Sequence, residues 1–459
     1  MTISRRSMIS GSAAVLGGLG PFSGLALAGK PHDRPVRRGY GQLLTSQPDM
    51  ALPRGFTYVK GGVAGSAMRD GTATPPAHDS MGVFQVRNRL HLVRNHELDP
   101  EDFSFVPPLN VGALAYDRLG NGGCTILEFD PWRGRFGESW PVLGGTIVNC
   151  SGGATPWGSW LTCEETTAGV LAGLEKPHGY VFEVPADAQR PVKAEPLKAM
   201  GRFVHEGAAV DPKSGIVYLT EDNGEPLDGF YRFVPKRPGR LSNGGVLQML
   251  AIEGCPQYST LTDQTIGLEL PVRWVTIEDP DPVNAESDPS AVFNQGYAKG
   301  GAAFLGGEGV TIDARGDVYF VCSSGGNAEL GQVWRFRPRG MNRGELTLIF
   351  ESSDPVIFDE GDNICASPRG TGLLIAEDGD GEDIDGGTNG LRGLSLDGEI
   401  FPFAENTTPL DLEPFGETGI GRSEFTGVQF SPAGIWLFCH LQYPGTTYAI
   451  TGPWERGCL

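Results

Sequence analysis

The chain has 459 residues and carries 56 Asp and Glu against 36 Lys and Arg, which gives a net charge of −20 at neutral pH. Such a charge argues against nucleic acids as partners, because a polyanion would be repelled. The 68 glycines show no collagen-like period and are typical of a protein with many tight turns.

Residues 1–28 are predicted to form an export signal. Arg5 and Arg6 make a twin-arginine pair, a weakly apolar stretch rich in Gly and Ala follows, and Ala26-Leu27-Ala28 matches a cleavage site. We therefore expect recognition by the twin-arginine export machinery and a periplasmic or extracellular location. No other stretch is long and apolar enough to span a membrane, so no stable membrane association is expected.

One short pattern recurs in the rest of the chain. An acidic residue opens a strand, a glycine-containing turn follows, and a second strand returns to the starting edge, as in a β-hairpin. Four clear copies run over Glu206–Glu221, Glu308–Cys322, Asp362–Glu377 and Glu424–Cys439. Two weaker copies begin at His78 and Asn149.

Six hairpins, most of them followed by a further strand, predict the fold class. We expect an all-β fold, a six-bladed β-propeller with long loop insertions and a few short helices. Residues 29–459 would form this single domain. An insertion around 256–300, between the third and fourth blades, holds the stretch that best fits a helix.

The hairpins place acidic residues at equivalent positions. In a propeller, the start of each inner strand and the end of its partner lie at the same mouth of the channel. We therefore expect Glu206, Glu308, Asp362 and Glu424 to ring that mouth. Beside them we expect a further set: Glu97, Cys163, Glu164, Glu165, Glu221 and Glu377. Because crowded carboxylates repel one another, the pattern predicts a site for polyvalent cations. The alternative is that these acids cap strands or pair with arginines.

The types of ligand indicate which metals to expect. Six to eight oxygen ligands suit Ca²⁺, whereas a thiolate beside carboxylates suits a softer metal such as iron. Cys163 is the candidate thiolate because Glu164 and Glu165 follow it directly, although a cysteine there can also be a small buried apolar residue. None of the eight cysteines forms a CxxC motif, and an exported protein could pair them as disulfides.

Other motifs give weaker indications. His205, next to Glu206, could orient that carboxylate, contact a phosphate group or be a core histidine. The acidic run that begins at Asp378 resembles an EF-hand loop, but Asn389 stands at the twelfth position, where such a loop needs Glu. No nucleophile elbow, P-loop or dinucleotide fingerprint is present.

Several segments together resemble the PhoX-type alkaline phosphatases. They are the leader with its arginine pair, Arg94–Glu97, Leu161–Glu165, Gly201–Glu206, Asp362-Asn363 and Pro444–Trp454. The resemblance covers most of the chain after the leader. It implies a six-bladed propeller with an iron–calcium cluster in its channel, which would hydrolyse phosphate monoesters outside the cytoplasm. By position, Cys163 would match the iron thiolate, and Glu97, Glu206 and Glu308 would match carboxylate ligands.

The chain departs from the family pattern at two places. The acidic pair expected after the third return strand reads Thr220-Glu221-Asp222. The segment before Glu308 reads Leu305-Gly306-Gly307, where an arginine for phosphate is expected. Candidate substitutes are Arg202, Lys299 and Arg369, the last two as substrate-binding residues.

The leading hypothesis is a secreted phosphatase for small phosphorylated substrates, with Ca²⁺ and Fe³⁺ as cofactors. Its catalytic residues would be Cys163, Glu206, His205 and Arg202. One alternative is another calcium-dependent propeller hydrolase, a lactonase or a phosphotriesterase, which needs no thiolate. Another is a non-enzymatic propeller whose acids hold structural calcium. Metal analysis separates them, since iron with calcium favours the first and calcium alone favours the others.

Overall fold

The computed structural model describes residues 39–100, 103–224, 227–379, 389–411 and 420–459. The predicted signal at 1–28 and most of the acidic run after Asp378 lie outside these ranges. In the described residues no helix combines the length and the apolar character that a membrane crossing requires.

Strands are the main regular structure of the described residues. Three precede the first repeat: β1 (Leu43–Leu44), β2 (Met50–Pro53) and β3 (Thr57–Gly61). Unit one contains β4 (His78–Val86), β5 (Arg89–His96), β6 (Gly122–Asp130) and β7 (Arg135–Thr146). Unit two contains β8 (Asn149–Ala154), β9 (Ser159–Glu164) and β10 (Val181–Pro185). Unit three contains β11 (His205–Val210), β12 (Val217–Glu221), β13 (Phe230–Pro235) and β14 (Gly245–Ile252), and β15 (Glu269–Thr276) follows it.

The second half repeats this arrangement. Unit four contains β16 (Gly307–Ile312), β17 (Val318–Cys322), β18 (Gln332–Pro338) and β19 (Gly344–Glu351). Unit five contains β20 (Gly361–Ala366), β21 (Gly372–Glu377), β22 (Gly390–Ser395) and β23 (Ile400–Asn406). Two short strands follow, β24 (Leu410–Asp411) and β25 (Ile420–Gly421). Unit six contains β26 (Phe425–Phe430), β27 (Leu437–Leu441) and β28 (Thr446–Thr451).

The hairpins found in the sequence are antiparallel strand pairs in the structure. They are β4–β5, β8–β9, β11–β12, β16–β17, β20–β21 and β26–β27. Their first strands contact one another in a closed ring, in the order β4, β8, β11, β16, β20, β26 and back to β4. We call these first strands the inner strands. The predicted all-β, propeller-like architecture is confirmed.

The six units occupy five sheets in the described part of the chain, because two of the units share one sheet. β15 pairs with both β14 and β19, so units three and four form one sheet. The early strand β3 pairs with β28 and completes unit six, and β2 pairs with β23 of unit five. The beginning and end of the described chain are thus joined, which closes the ring.

Large apolar side chains fill the spaces between neighbouring units. Six hydrophobic clusters of the described chain each join two consecutive units, for example units three and four through stacked Phe230 and Phe320. Burial of each such side chain contributes about 1.5–3 kcal/mol. The packing therefore fixes where each inner strand begins, and with it the mouth of the channel.

The segment 256–300, expected as an insertion with a helix, contains β15 and the helix α1 (Ala291–Ala298). Val292 and Phe293 of α1 pack against the core between units two and three. The remaining helices of the described chain are single 3-10 turns: Gly112–Leu114, Val170–Ala172, Lys198–Met200, Leu241–Asn243 and Trp454–Arg456.

Candidate metal centre

The six inner strands start in the same pairing register. In each hairpin the first residue of the inner strand pairs with the last residue of the return strand, as His205 pairs with Glu221 and Gly361 with Glu377. The same holds for His78 and His96, Asn149 and Glu164, Gly307 and Cys322, and Phe425 and Leu441. A register shift follows this first pair directly in units one to five, and in unit six it follows the next pair, Thr426 and His440, as at a β-bulge. The second residue of each inner strand is therefore in an equivalent position.

Those second residues carry groups that could bind metal ions. In chain order they are Asp79, Cys150, Glu206, Glu308, Asp362 and Thr426. Only Thr426 lacks a charged or thiol group, and its Oγ1 donates a hydrogen bond to the His78 carbonyl at 2.7 Å.

Two further acids join the five ionisable groups. Ligand atoms of Asp79, Glu97 and Cys150 lie within 4.8 Å of one another, as do those of Cys150, Glu165 and Glu206, and those of Glu206, Glu308 and Asp362. Cys150 and Glu206 each belong to two groups, so the three groups are continuous. We call these seven residues the channel cluster. Glu206 and Glu308 thus come together at one mouth, as the hairpin geometry predicts.

The residue that follows each return strand also faces this region. Glu97 follows β5 and Glu165 follows β9, and both belong to the channel cluster. After β17, Ser323 donates from its Oγ to Glu308 Oε1 at 2.7 Å, and after β27, Gln442 donates from its Nε2 to Glu97 Oε2 at 2.8 Å. The equivalent residues of units three and five, Asp222 and Asp378, add further negative charge beside Glu165 and Asp362.

The electrostatics of the channel cluster indicate cations. Burial, and then the charges of Asp362, Glu165 and Glu308, raise the pKa of Glu206 well above its ordinary value. Burial and neighbouring acids likewise raise the pKa values of Asp79, Glu97, Glu165 and Asp362, and of Glu424 beside them. A bound cation reverses this balance, because it favours the ionised carboxylate.

Glu206 gives the most direct test of whether the residues fit metal ions. It is fully buried, and neither of its carboxylate oxygens accepts a hydrogen bond within the described structure. Buried carboxylate oxygens without a partner are costly unless a cation binds them. Six carboxylates and one thiol in a continuous group fit more than one cation, with oxygen ligands for a hard ion and the Cys150 sulfur for a softer one.

Four inner strands are preceded by a residue in the left-handed region of the backbone map. These are Ala77, Val148, Gly306 and Glu360, with φ of 49°, 44°, 64° and 40°. For a β-branched residue such as Val148 this conformation is strained by about 1–3 kcal/mol. Strain of this kind, repeated directly before the metal-binding positions, is typical of functional sites.

Three predicted ligands are placed elsewhere. Glu164 accepts hydrogen bonds from His178 Nδ1 at 2.6 Å and from the Gly179 N–H at 2.9 Å. Glu221 accepts from the Tyr231 hydroxyl at 2.6 Å, and Glu377 pairs with Arg392 Nε at 2.8 Å. These three carboxylates therefore have partners within the protein and lie outside the channel cluster. Successive residues of a strand face opposite sides, so the last strand residue faces its own unit and the next residue faces the channel.

Cys163, the predicted iron thiolate, also lies outside the channel cluster. Cys163 is fully buried in the hydrophobic core between units two and three, and the one charged neighbour that acts on its thiol is Glu164. Cys150 is the cysteine of the channel cluster, and its Sγ donates to Asp79 Oδ2 at 3.4 Å. Alignment of the second hairpin on its opening residues, Asn149-Cys150 against His205-Glu206, would have identified it. The same alignment on His78-Asp79 would have identified Asp79.

His205 and Arg202, predicted as catalytic, have structural contacts. The His205 ring lies against Phe203 with centroids 3.6 Å apart, its Nε2 donates to the Gly201 carbonyl at 3.0 Å, and burial lowers its pKa to about 3. It is therefore a neutral core histidine that faces away from Glu206. Arg202 donates to the carbonyls of His178 and Thr167 at 2.8 and 2.9 Å, which holds the loop after β9.

Neither predicted substrate-binding residue donates to the channel cluster. Lys299 follows α1 on the surface and pairs with Glu278 at 2.9 Å. Arg369 lies in the turn between β20 and β21, at the opposite end of that hairpin from Asp362, and donates to the Gly434 carbonyl at 2.9 Å. A phosphate group at the channel cluster would not contact these two side chains as they are placed.

All eight cysteines are free thiols in the structure. Seven are buried, and Cys255 is exposed. The disulfides that an exported protein could form are therefore absent, and the ring is held by its strand pairing and core packing.

Comparisons with known proteins agree with this architecture. No curated protein matches the chain at a significant level. PhoX of Pseudomonas fluorescens, solved in complex with vanadate, a transition-state analogue, matches with a TM-score of 0.66 and 17% identity over 92% of this chain and 99% of its own. This likeness shows a common fold.

Two further structures match with lower scores. A gluconolactonase from Xanthomonas campestris has a TM-score of 0.36 and 13% identity, over 86% of this chain and 100% of its own. A putative 6-phosphogluconolactonase from Bacteroides uniformis ATCC 8492 has a TM-score of 0.37 and 14% identity, over 86% of this chain and 89% of its own.

The family assignment comes from the sequence itself. The family model described as alkaline phosphatase PhoX matches residues 133–445, which is well over half of the chain. The matched residues include Cys150, Glu165, Glu206, Glu308 and Asp362 of the channel cluster. The chain therefore belongs to the PhoX alkaline phosphatase family of metal-dependent phosphoric ester hydrolases.

Proposed function

We propose that this protein hydrolyses small phosphate monoesters at the channel cluster after export from the cytoplasm. The observation that carries the proposal is the channel cluster itself, six carboxylates and one thiol brought to one mouth by equivalent positions in five units. Family membership supports phosphoric ester hydrolysis as the reaction. The site residues and the export route are part of this proposal.

The proposed cofactors are Ca²⁺ and Fe³⁺. Glu206, Glu308 and Asp362 offer only oxygens, which suits calcium, whereas Cys150 with Glu165 and Glu206 adds the sulfur that suits iron. Asp79 and Glu97 complete the shell on the other side of Cys150. When bound, these ions would neutralise the phosphoryl oxygens and activate water for attack on phosphorus.

The chain's own residues would bind the cations and orient the carboxylates that hold them. The carboxylates hold the cations, and without cations they would repel a phosphate group. Ser323 and Gln442 each donate a hydrogen bond to one ligand, Glu308 and Glu97, which fixes the carboxylates in the orientation that binding requires. Burial of Glu206 excludes water from its oxygens and strengthens their attraction for a cation.

Cys150 also bears on the alternatives. A calcium-only lactonase, phosphotriesterase or binding propeller has no use for a sulfur ligand, because calcium takes oxygen ligands. A buried thiol that donates to a carboxylate at the centre of the ligand set is therefore better explained by a mixed metal centre.

Elemental analysis with activity assays tests the proposal. Protein purified without chelator should contain both calcium and iron, and should hydrolyse p-nitrophenyl phosphate faster than bis(p-nitrophenyl) phosphate or a lactone. Calcium without iron, or preference for a lactone, would overturn it.

Export is tested separately. Replacement of Arg5 and Arg6 together by lysine should leave the activity in the cytoplasm, because the leader would no longer be recognised by the twin-arginine machinery. Unchanged secretion of the double variant would contradict this part of the proposal.

A further inference from the structure

A second layer of residues follows the cluster along the inner strands. These are the third residues of the inner strands: Ser80, Ser151, Gly207, Gly309, Asn363 and Gly427. We call them the channel floor. At Gly309 a Cβ atom would lie 2.8 Å from the Asp362 carbonyl oxygen, and at Gly427, with φ of 65°, it would lie 2.9 Å from the Asp79 carbonyl oxygen. The backbones approach so closely that small residues are required, and Asn363 has the largest side chain of the floor.

Asn363 is hydrogen-bonded on both sides of its amide. Its Nδ2 donates to both carboxylate oxygens of Asp362, at 2.9 and 2.8 Å. Its Oδ1 accepts from the Gly427 N–H and, at 3.3 Å, from the Ser80 hydroxyl. Only this orientation of the amide is consistent, because the reverse would set its oxygen against a carboxylate and its NH₂ against an N–H donor.

The hydrogen bonds of Asn363 are continued by residues of other units. The Ser151 hydroxyl donates to the Ser80 oxygen at 3.2 Å, and the Ser80 hydroxyl donates in turn to Asn363. A directed series of hydrogen bonds therefore runs from unit two through unit one to Asp362 in unit five, with a branch to unit six at Gly427. In such a series each hydrogen bond polarises the next hydrogen bond and thereby strengthens it.

Each oxygen of Asp362 retains capacity for a cation. A carboxylate oxygen has two lone pairs, and Asn363 takes one contact on each oxygen. The amide thus restricts the rotation of the carboxylate without occupying it. Asn363 is itself almost fully buried, at 2% exposure, so its position is fixed by the packing around it.

We propose that Asn363 is a positioning residue of the metal centre, which holds the Asp362 carboxylate toward the cations through an amide anchored in units one and six. The inference rests on the proposed function, because it requires that Asp362 bind a metal. The ligand in question is a divalent cation such as calcium, for which Asp362, Glu308 and Glu206 supply oxygens.

The test compares two exchanges of amide for carboxylate. Asn363→Asp replaces the NH₂ group that faces Asp362 by an oxygen of similar size. Gln332→Glu is the matched control, since Gln332 is also fully buried, donates from its Nε2 to the Glu351 carboxylate at 2.9 Å and lies in unit four outside the cluster and the floor. For both variants and the wild type, we would measure bound calcium after dialysis, the rise in Tm on addition of calcium, kcat and KM.

Asn363→Asp should bind calcium about tenfold more weakly, with kcat about tenfold lower and KM changed much less, because the cation site and not the substrate contact is disturbed. Gln332→Glu should lower Tm while calcium affinity and kcat stay near wild-type values. Equal calcium affinity in wild type and Asn363→Asp, or equal losses in both variants, would overturn the inference.

Two further results separate this inference from the proposed function. A wild type that retains no metal would refute the proposed function itself. If Asn363→Asp does not fold, Ser80→Ala tests the inference instead, because it removes one hydrogen-bond donor to Asn363 and leaves Asp362 unchanged. It should weaken calcium binding in the same direction by a smaller factor, and unchanged binding would overturn the role of Asn363.

Discussion

Two sets of buried acids lie at the same end of this protein, and they differ in what balances their charge. Glu164 and Glu165 show the difference within one peptide bond. Glu164 faces its own unit, where His178 and three backbone N–H groups bind its carboxylate. Glu165 faces the channel, where its neighbours are the Cys150 thiol and the Glu206 carboxylate. The unit-facing acids are balanced by the protein, whereas the channel-facing acids need ions from outside.

This difference separates stability from activity. Removal of a unit-facing acid leaves a buried donor or cation without a partner and should destabilise the fold. Removal of a channel-facing acid reduces repulsion among carboxylates and should cost metal binding instead. Substitutions in the two sets therefore test the comparison directly.

The two cysteines should show the largest contrast. Cys150→Ser should lose most of the iron and about 100-fold or more of the activity, because a hydroxyl is a poor replacement for a thiolate ligand. Cys163→Ser should keep metal and activity and lose about 1–3 kcal/mol of stability, because it buries a hydroxyl in an apolar core. Iron content and phosphatase rates of both variants check this. Wild-type iron in Cys150→Ser would refute the assignment of the thiolate.

Glu206 and Glu308 should behave as one unit. Each change to Gln should cost about 100-fold in activity, and the double variant should be little worse than the worse single one, because both carboxylates serve one metal centre. Glu221→Gln is the control, since Glu221 accepts from Tyr231 and Gly229 within its own unit and should retain the activity. Additive losses in the double variant would mean that Glu206 and Glu308 serve separate sites.

Chelation should lower stability as well as activity. Ligands that bind only the folded state stabilise it by about 2.7 kcal/mol at 100 times their dissociation constant. Verified removal of calcium should therefore lower Tm by on the order of 5 °C and abolish turnover, and calcium should restore both. The thermal scan of Glu206→Gln provides the comparison, since it should respond less to added calcium. A Tm and turnover that are unchanged after removal would contradict a calcium site.

His178 should make the stability of the unit-facing set depend on pH. Burial alone would lower its pKa, but the charges of Glu164 and Asp117, with the hydrogen bond to Glu164, outweigh burial and raise it to about 9, above the ordinary 6.5. The folded protein therefore holds this proton more tightly than the unfolded chain. The stabilisation, on the order of 3 kcal/mol, is complete below pH 6.5 and is lost as the pH rises through 9.

Urea unfolding at pH 6 and pH 9.5 measures this loss. In His178→Phe the same rise in pH should change the free energy of unfolding by less than in the wild type, because the variant has no proton to release at this position. An equal pH dependence in both proteins would show that His178 is not protonated in the folded state.

The sequence by itself determined the all-β repeat and the mouth at which the acids gather. Its opening acids, Glu206, Glu308 and Asp362, lie in the channel cluster, because the strand–turn–strand pattern and its glycines are local properties of the chain. Glu97 and Glu165, which the same local pattern indicated, also lie in the channel cluster. The helix expected within 256–300 is present as α1.

Only the tertiary structure decided which acid at the end of a return strand faces the channel. A shift by one residue moves a side chain to the other side of a strand, and the register of each hairpin is set by its bulge and by packing against the next unit. That is why the sequence pattern did not show that Glu164, Glu221 and Glu377 face their own units. Alignment of the hairpins can indicate Cys150 as an equivalent position, but its approach to Asp79 and Glu206 of other units is made only when the ring closes.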